Sequence, residues 1–149
     1  NKIPVFGSCF GHQLMALCLG AELVHDEQYC ETGIYDIKVH EKGQADSLFE
    51  NVPDHFDAIL GHKDTVITIP EGIELLASSE KTQCQAFKYN DVAYSTQFHA
   101  ELDNQGLLDR LALYPSYALT GEEEKEMADK DVSNAVTILY NFFKIAGLK

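Results

Sequence analysis

The most regular pattern of apolar positions lies near the end of the chain. There Val132, Ala135, Val136, Leu139, Phe142, Phe143 and Ala146 recur at i, i+3, i+4 and i+7. This spacing predicts an amphipathic helix whose apolar stripe packs into a core, with Gly147 as its stop. Just upstream, residues 107–113 read as another helix, and Thr120 with Glu123 forms a capping-box signature for a third. The earlier two-thirds of the chain has a different rhythm. Residues 3–6 make a short apolar run, residues 34–39 alternate like a half-exposed strand, and strands are also expected at 58–60, 73–77, 85–89 and 92–98. The last two flank Asn90-Asp91, a polar turn that predicts a hairpin. A helix over about residues 11–19 follows the first apolar run, with Leu14, Leu17 and Cys18 on one face and Gly20 at its end. Strands interleaved with helices predict an α/β sandwich with helices on both faces of the sheet.

Composition narrows this picture. A chain of 149 residues, 45% of them apolar, fits one compact domain over residues 1–149, with no repeat or linker dividing it. It has no run of eighteen apolar residues and no basic-then-apolar start, so neither a membrane-spanning helix nor a signal peptide is expected. The sequence begins without Met, two residues before its first strand, and we expect further polypeptide ahead of Asn1. A net charge of −13 argues against nucleic acid or anionic membrane as partners, since both require a positive field. Much of the acid falls in residues 121–126, which read as a solvated helix face.

The cysteines at 9, 18, 30 and 84 form no CxxC pair, and no histidine stands at zinc-site spacing, so no metal site is expected. They read as reduced thiols of a cytoplasmic protein, three of them as small inert hydrophobes. Cys9 is different. In Pro4-Val5-Phe6-Gly7-Ser8-Cys9-Phe10-Gly11-His12-Gln13 an apolar strand ends in Gly-x-Cys-x-Gly and turns at once into a helix. This is a nucleophile elbow with cysteine in place of serine. The flanking glycines permit a sharp turn and leave the sulfur uncrowded, and the helix start surrounds it with free N–H groups. The Phe10 N–H can serve a developing oxyanion. A thiolate nucleophile needs a base and a group to orient that base. His99 and Glu101, at the end of the strand over residues 92–98, supply both roles. His12 is the other histidine near Cys9; at a helix start its expected role is structural.

Gly7-Ser-Cys9-Phe-Gly11-His12-Gln13, followed ninety residues later by Phe98-His99-Ala100-Glu101, resembles the class I glutamine amidotransferases. Their elbow has the form Gly-x-Cys-x-Gly-His-Gln and their second motif is usually Phe-His-Pro-Glu. The resemblance implies a three-layer, flavodoxin-like α/β fold with a mostly parallel sheet, whose first strands would lie ahead of Asn1. It implies a Cys9–His99–Glu101 triad, Gln13 in contact with substrate glutamine, and Gly7 and Phe10 shaping the site. Gly61-His62-Lys63-Asp64 resembles the Ser-His-Gly-Asp stretch of the GMP-synthetase-like branch, which implies His62 and Asp64 along the glutamine site. Ala100 stands where proline is usual, and the loop that supplies a second oxyanion donor in the family has no counterpart after Asn1. The implied reaction is hydrolysis of L-glutamine to glutamate and ammonia through a cysteine thioester, without cofactor. The ammonia would go to a synthetase domain or subunit. Two alternatives share these residues or this fold: a γ-glutamyl hydrolase-type thiol hydrolase, and a non-catalytic module that has kept the scaffold.

Overall fold

The computed structural model describes residues 3–113 and 120–148. A six-stranded sheet forms the centre, built from β1 (Val5–Ser8), β3 (Glu31–Val39), β4 (His55–His62), β6 (Glu74–Ser78), β7 (Ala86–Lys88) and β8 (Ala93–Thr96). Its order is β1-β8-β7-β6-β3-β4. A separate two-stranded ribbon pairs β2 (Leu23–His25) with β5 (Asp64–Val66). The main sheet is mixed. β1 and β8 run parallel, while the other pairings are antiparallel, so the parallel character expected of it is confined to one pair among the described residues. Connection length explains this. β7 and β8 are joined by a tight turn in which Asn90 has φ 73° and its side-chain oxygen accepts from the Val92 N–H at 3.0 Å, and such a turn can join only antiparallel neighbours.

The strands alternate between two apolar layers, as a pleated sheet covered on both faces must. On β7, Ala86 points into the cluster that holds Phe56, Leu60, Phe98 and Phe142, whereas Phe87 points into the one that holds Ala16, Val66 and Cys84. Helix α5 (Ser133–Ile145) covers the first face and α1 (Phe10–Cys18) the second, which makes three layers. The expected α/β sandwich is therefore present.

Both covering helices are turned from the orientation their apolar residues predict. In α5 the buried line is Ala135, Ile138, Asn141 and Phe142, while Phe143 is 37% exposed. Asn141 explains the rotation: its Nδ2 donates to the carbonyls of Leu48 at 3.0 Å and Glu50 at 2.8 Å, closing the 3₁₀ turn Ser47–Phe49. In α1 the face with Leu14, Leu17 and Cys18 is the outer one, and His12, Gln13 and Ala16 are buried. A polar inner face is stable only where the sheet offers partners, and it does so here.

The remaining elements are short. Helix α2 (Glu41–Gln44) precedes the Ser47–Phe49 turn, and α3 (Asn104–Ala112) starts from Asp103, whose carboxylate accepts from the Gly106 N–H at 2.8 Å. Asn104 donates to the Met127 and Lys130 carbonyls at the end of α4 (Gly121–Asp129). The acidic run lies in α4, where Glu122, Glu124 and Glu126 are exposed; the Glu123 side chain of the expected capping box is outside the described residues. Gly20 and Gly147, the expected helix stops, both have positive φ, at 94° and 72°.

Gly7 is one place where the fold tolerates no side chain. A Cβ there would lie 2.7 Å from the Gly11 carbonyl carbon and oxygen and 2.8 Å from Met15 Sδ, so β1 and α1 meet backbone to backbone. Gly11 meets nothing within 4 Å. Gly7→Ala should lower stability by about 2–3 kcal/mol, the usual cost of overpacking against atoms that cannot move aside. Gly11→Ala should not, because alanine is the better helix former by about 1 kcal/mol. Urea midpoints for the two variants check this; equal midpoints would contradict the close approach.

Candidate functional site

β1 ends at Ser8 and α1 begins at Phe10, so the whole change of direction falls on Cys9. Its backbone sits at φ 49°, ψ −100°, a conformation side chains other than glycine rarely adopt and which costs on the order of 1–3 kcal/mol. The glycines at 7 and 11 have ordinary φ, so the turn they were expected to make is made by the cysteine itself. The Cys9 N–H donates to the Thr96 carbonyl at 2.9 Å, which ties the elbow to β8. Phe10, the first residue of α1, has one of the N–H groups that a helix start leaves unpaired; its ring is 72% exposed.

His99 and Glu101 reach the elbow from the end of β8. The His99 Nδ1–H donates to Glu101 Oε1 at 2.6 Å, and the Ser8 hydroxyl donates to Glu101 Oε2 at 2.9 Å. Burial opposes a positive charge on His99, but its hydrogen bonds to Cys9 and Glu101, with the charges of both, outweigh this and raise it to about 9. Partial burial pushes Glu101 upward. The bond from His99, its own backbone N–H, the imidazolium charge and Ser8 together bring it down to about 2. The His99–Glu101 pair thus stands beside Cys9 and interacts with it, and the carboxylate holds a proton on Nδ1 of the imidazole. Ala100 in place of proline does not prevent the His99–Glu101 contact.

The inner face of α1 meets β8 and its continuation along every second residue. Ser95 Oγ is 2.9 Å from His12 Nδ1, Gln97 Oε1 accepts from Gln13 Nε2 at 3.1 Å, and His99 reaches Cys9. His12 is fully buried and packed against Phe87, with ring centroids 5.0 Å apart and planes tilted by 48°. Burial, and then the neighbouring His62, hold its pKa down at about 3, with the Cys84 backbone pulling slightly the other way, although Nε2 has no well-formed hydrogen bond. A neutral ring locked in this way suits the structural role expected of it. Cys84 is also buried, and burial pushes its thiol up to about 12, which makes it inert as a nucleophile.

His62 and Asp64 lie behind Gln13. The Asp64 carbonyl accepts from Gln13 Nε2 at 2.8 Å and from His62 Nδ1 at 3.0 Å, while its carboxylate is turned outward to His25 at 2.8 Å. His62 is 3% exposed, and its Nε2 faces Glu31 Oε2 at 2.9 Å. Both of its nitrogens are committed within the protein. Both hydrogens of the Gln13 amide are likewise committed, leaving Oε1 as the atom it can offer a ligand. A cavity of about 600 Å³ opens beside His99, bordered by Gly61, Lys63, Leu102, Leu107 and Arg110. Cys9 does not line it, so the arrangement around the sulfur is a better guide to chemistry than this hollow. Three residues at this site carried no expectation from sequence: Ser8, Gln97 and Glu31. Ser8 sits inside the first motif and Gln97 immediately precedes the second, at positions set by strand alternation; Glu31 gave no local signal.

The family model described as "Glutamine amidotransferase class-I" matches residues 1–106. The chain is 41% identical over 104 residues to a glutamine-hydrolyzing GMP synthase subunit of Methanocaldococcus jannaschii, covering 68% of this chain and 52% of that protein. The corresponding GMP synthase subunit of Methanococcus aeolicus is 30% identical over 99% of this chain and 63% of its own length. Among solved structures, a putative GMP synthase subunit from Thermoplasma acidophilum superposes with a TM-score of 0.70 at 25% identity, covering 99% of this chain and 59% of that one. A glutamine amidotransferase from Thermotoga maritima superposes with a TM-score of 0.81 at 23% identity, covering 96% and 62%, and speaks for the fold alone. The chain spans about half the length of the first two curated relatives it matches. With the elbow and the His99–Glu101 pair joined in one site and a family match over more than two-thirds of its length, this chain belongs to the class I glutamine amidotransferases.

Proposed function

We propose that this chain carries the glutaminase site of a GMP-synthase-type amidotransferase, with Cys9 as nucleophile, His99 as proton carrier and Glu101 as the group that orients it. One observation supports this above the others: the strand-end histidine, joined to its carboxylate at 2.6 Å, stands at the elbow cysteine and interacts with it. In this reading His99 takes the Cys9 proton before attack. The sulfur attacks the side-chain amide carbon of L-glutamine, and the oxyanion that forms accepts from the Phe10 N–H. Collapse breaks the C–N bond as His99 protonates the departing ammonia, leaving a γ-glutamyl thioester. Neutral His99 then takes a proton from water, which attacks the thioester carbonyl. The C–S bond breaks, its electron pair returns to sulfur, and glutamate leaves. Gln13 Oε1, the free acceptor behind the elbow, is assigned a substrate N–H, and Gly7 keeps β1 and α1 close enough to hold the turn. His62 and Asp64 act on the substrate through Gln13. The reaction as drawn uses no cofactor.

The relatives named as GMP synthase subunits motivate the rest of the reading, in which ammonia passes to a separate synthetase subunit. The test uses the complete protein. It should release ammonia from L-glutamine faster than amines from γ-glutamyl conjugates, and a glutamine-analogue diazo-ketone should label Cys9. Retained glutaminase activity in a Cys9→Ala variant would sink the mechanism, and preference for γ-glutamyl conjugates would reassign the substrate.

A further inference from the structure

Among the buried polar groups behind the elbow, one touches the reacting atom and has no part in the reaction as drawn. Gln97 is fully buried, and its Nε2 points at Cys9 Sγ from 3.6 Å. An amide could face the sulfur with either end, and the two ends have opposite consequences: N–H steadies negative charge there, whereas C=O repels it. The surrounding bonds decide which end it is. The Asp64 carbonyl can only accept, so the Gln13 atom 2.8 Å from it must be the nitrogen. That same nitrogen lies 3.1 Å from Gln97, so the Gln97 atom facing it must be the oxygen. The other end of Gln97, which meets sulfur, is therefore NH₂. His62 donates to the same Asp64 carbonyl and is itself held by Glu31, which Gln85 also contacts. Glu31, His62, Gln85 and Gln97 are each no more than 3% exposed, so water does not compete with these bonds.

We propose that Gln97 is a further catalytic residue, a donor to the Cys9 sulfur whose orientation is imposed by the Asp64 carbonyl through Gln13. Its use in turnover rests on the glutaminase reading above; its contact with sulfur does not. The donor acts whenever charge resides on sulfur. That is the case before attack, and again when the C–S bond of the second tetrahedral intermediate breaks and its electron pair returns to Cys9. Gln97→Glu keeps the acceptor that Gln13 needs and replaces the donor to sulfur with a second acceptor. Gln97→Met is neutral, similar in length and has no donor.

In the complete protein, both variants should alkylate Cys9 with iodoacetamide about tenfold more slowly at neutral pH, read by mass spectrometry of the Cys9 peptide. Glutaminase kcat should fall by at least as much. In the unsubstituted protein, alkylating Cys9 should shift the NMR resonances of the Gln97 side-chain amide, a readout that does not depend on any variant folding. Wild-type alkylation rates in a folded variant, or an unmoved Gln97 amide, would overturn the proposal. Slowed alkylation in a protein that has no glutaminase activity would uphold the contact and sink the glutaminase reading instead.

Discussion

Cys9→Gly should abolish glutamine hydrolysis and make the protein more stable than Cys9→Ala. Loss of the sulfur removes the only proposed nucleophile, so both variants should fall by at least about 10³-fold in kcat, in line with removal of a covalent-catalysis residue. The difference between them reads the backbone. Inside a helix alanine is more stable than glycine by roughly 0.5–1 kcal/mol, but Cys9 is the N-cap of α1, a place where glycine already serves better than alanine. At φ 49°, ψ −100° that preference should widen, since only the residue without a Cβ enters that region at little cost. A net advantage of about 1 kcal/mol for glycine would raise the thermal midpoint by roughly 2–4 °C in a domain of this size. Thermal melts of the two variants in the same buffer make the comparison. If the alanine variant melts at or above the glycine variant, the elbow is not strained. The expected result means that the site holds its nucleophile in place at a cost in stability, as reactive sites often do.

The second large effect belongs to Glu101. Replacing it with glutamine removes the charge and the fixed acceptor that keep the His99 proton on Nδ1, and it leaves Ser8 without its carboxylate partner. We expect kcat/KM to fall on the order of 10²-fold or more, as it does when a triad carboxylate is neutralised. The pH dependence should change with it. Folding raises His99 from 6.5 to about 9, so its contribution to stability is complete below pH 6.5 and is lost as pH rises through about 9. Folding lowers Glu101 from 4.5 to about 2, so its contribution is complete above pH 4.5 and is lost as pH falls through about 2. The pair therefore stabilises most between about pH 4.5 and 6.5. Its side chains are 11% and 40% exposed, and solvent screening of the carboxylate reduces the benefit to about 1–2 kcal/mol. In Glu101→Gln the alkaline loss should be smaller and be complete at lower pH, because the imidazolium has lost its partner. Denaturant midpoints from mildly acidic to alkaline pH measure this, and superimposable profiles for wild type and variant would contradict the assigned contact.

What the sequence made legible was local. The elbow, the hairpin at Asn90, the helix stops at Gly20 and Gly147 and the His99–Glu101 pair each depend on residues within a few positions of one another. The orientation of α1 was not legible, because Leu14 and Leu17 present the stronger apolar stripe while the buried face is His12, Gln13 and Ala16. Only the spacing of polar partners along β8 makes that face the inner one. The Glu31–His62 contact was hidden for a related reason. A glutamate at the start of a strand reads as solvated, and nothing near residue 31 signals a histidine thirty-one positions away. The two-stranded ribbon of β2 and β5 was missed because three-residue strands carry too little periodicity to register.

The alternation along β8 bears on how the protein avoids misfolding. Ser95, Gln97 and His99 meet α1, while Tyr94 and Phe98 on the other side of the strand enter the layer beneath α5. A slip of one residue in the pairing of β8 would turn all five to the wrong side at once. It would leave three polar groups among the aromatic rings of the α5 layer and two rings against His12 and Gln13. The groups proposed to carry the chemistry therefore also proofread the strand register, and a molecule with β8 misaligned would lose both the proposed site and the packing of its core.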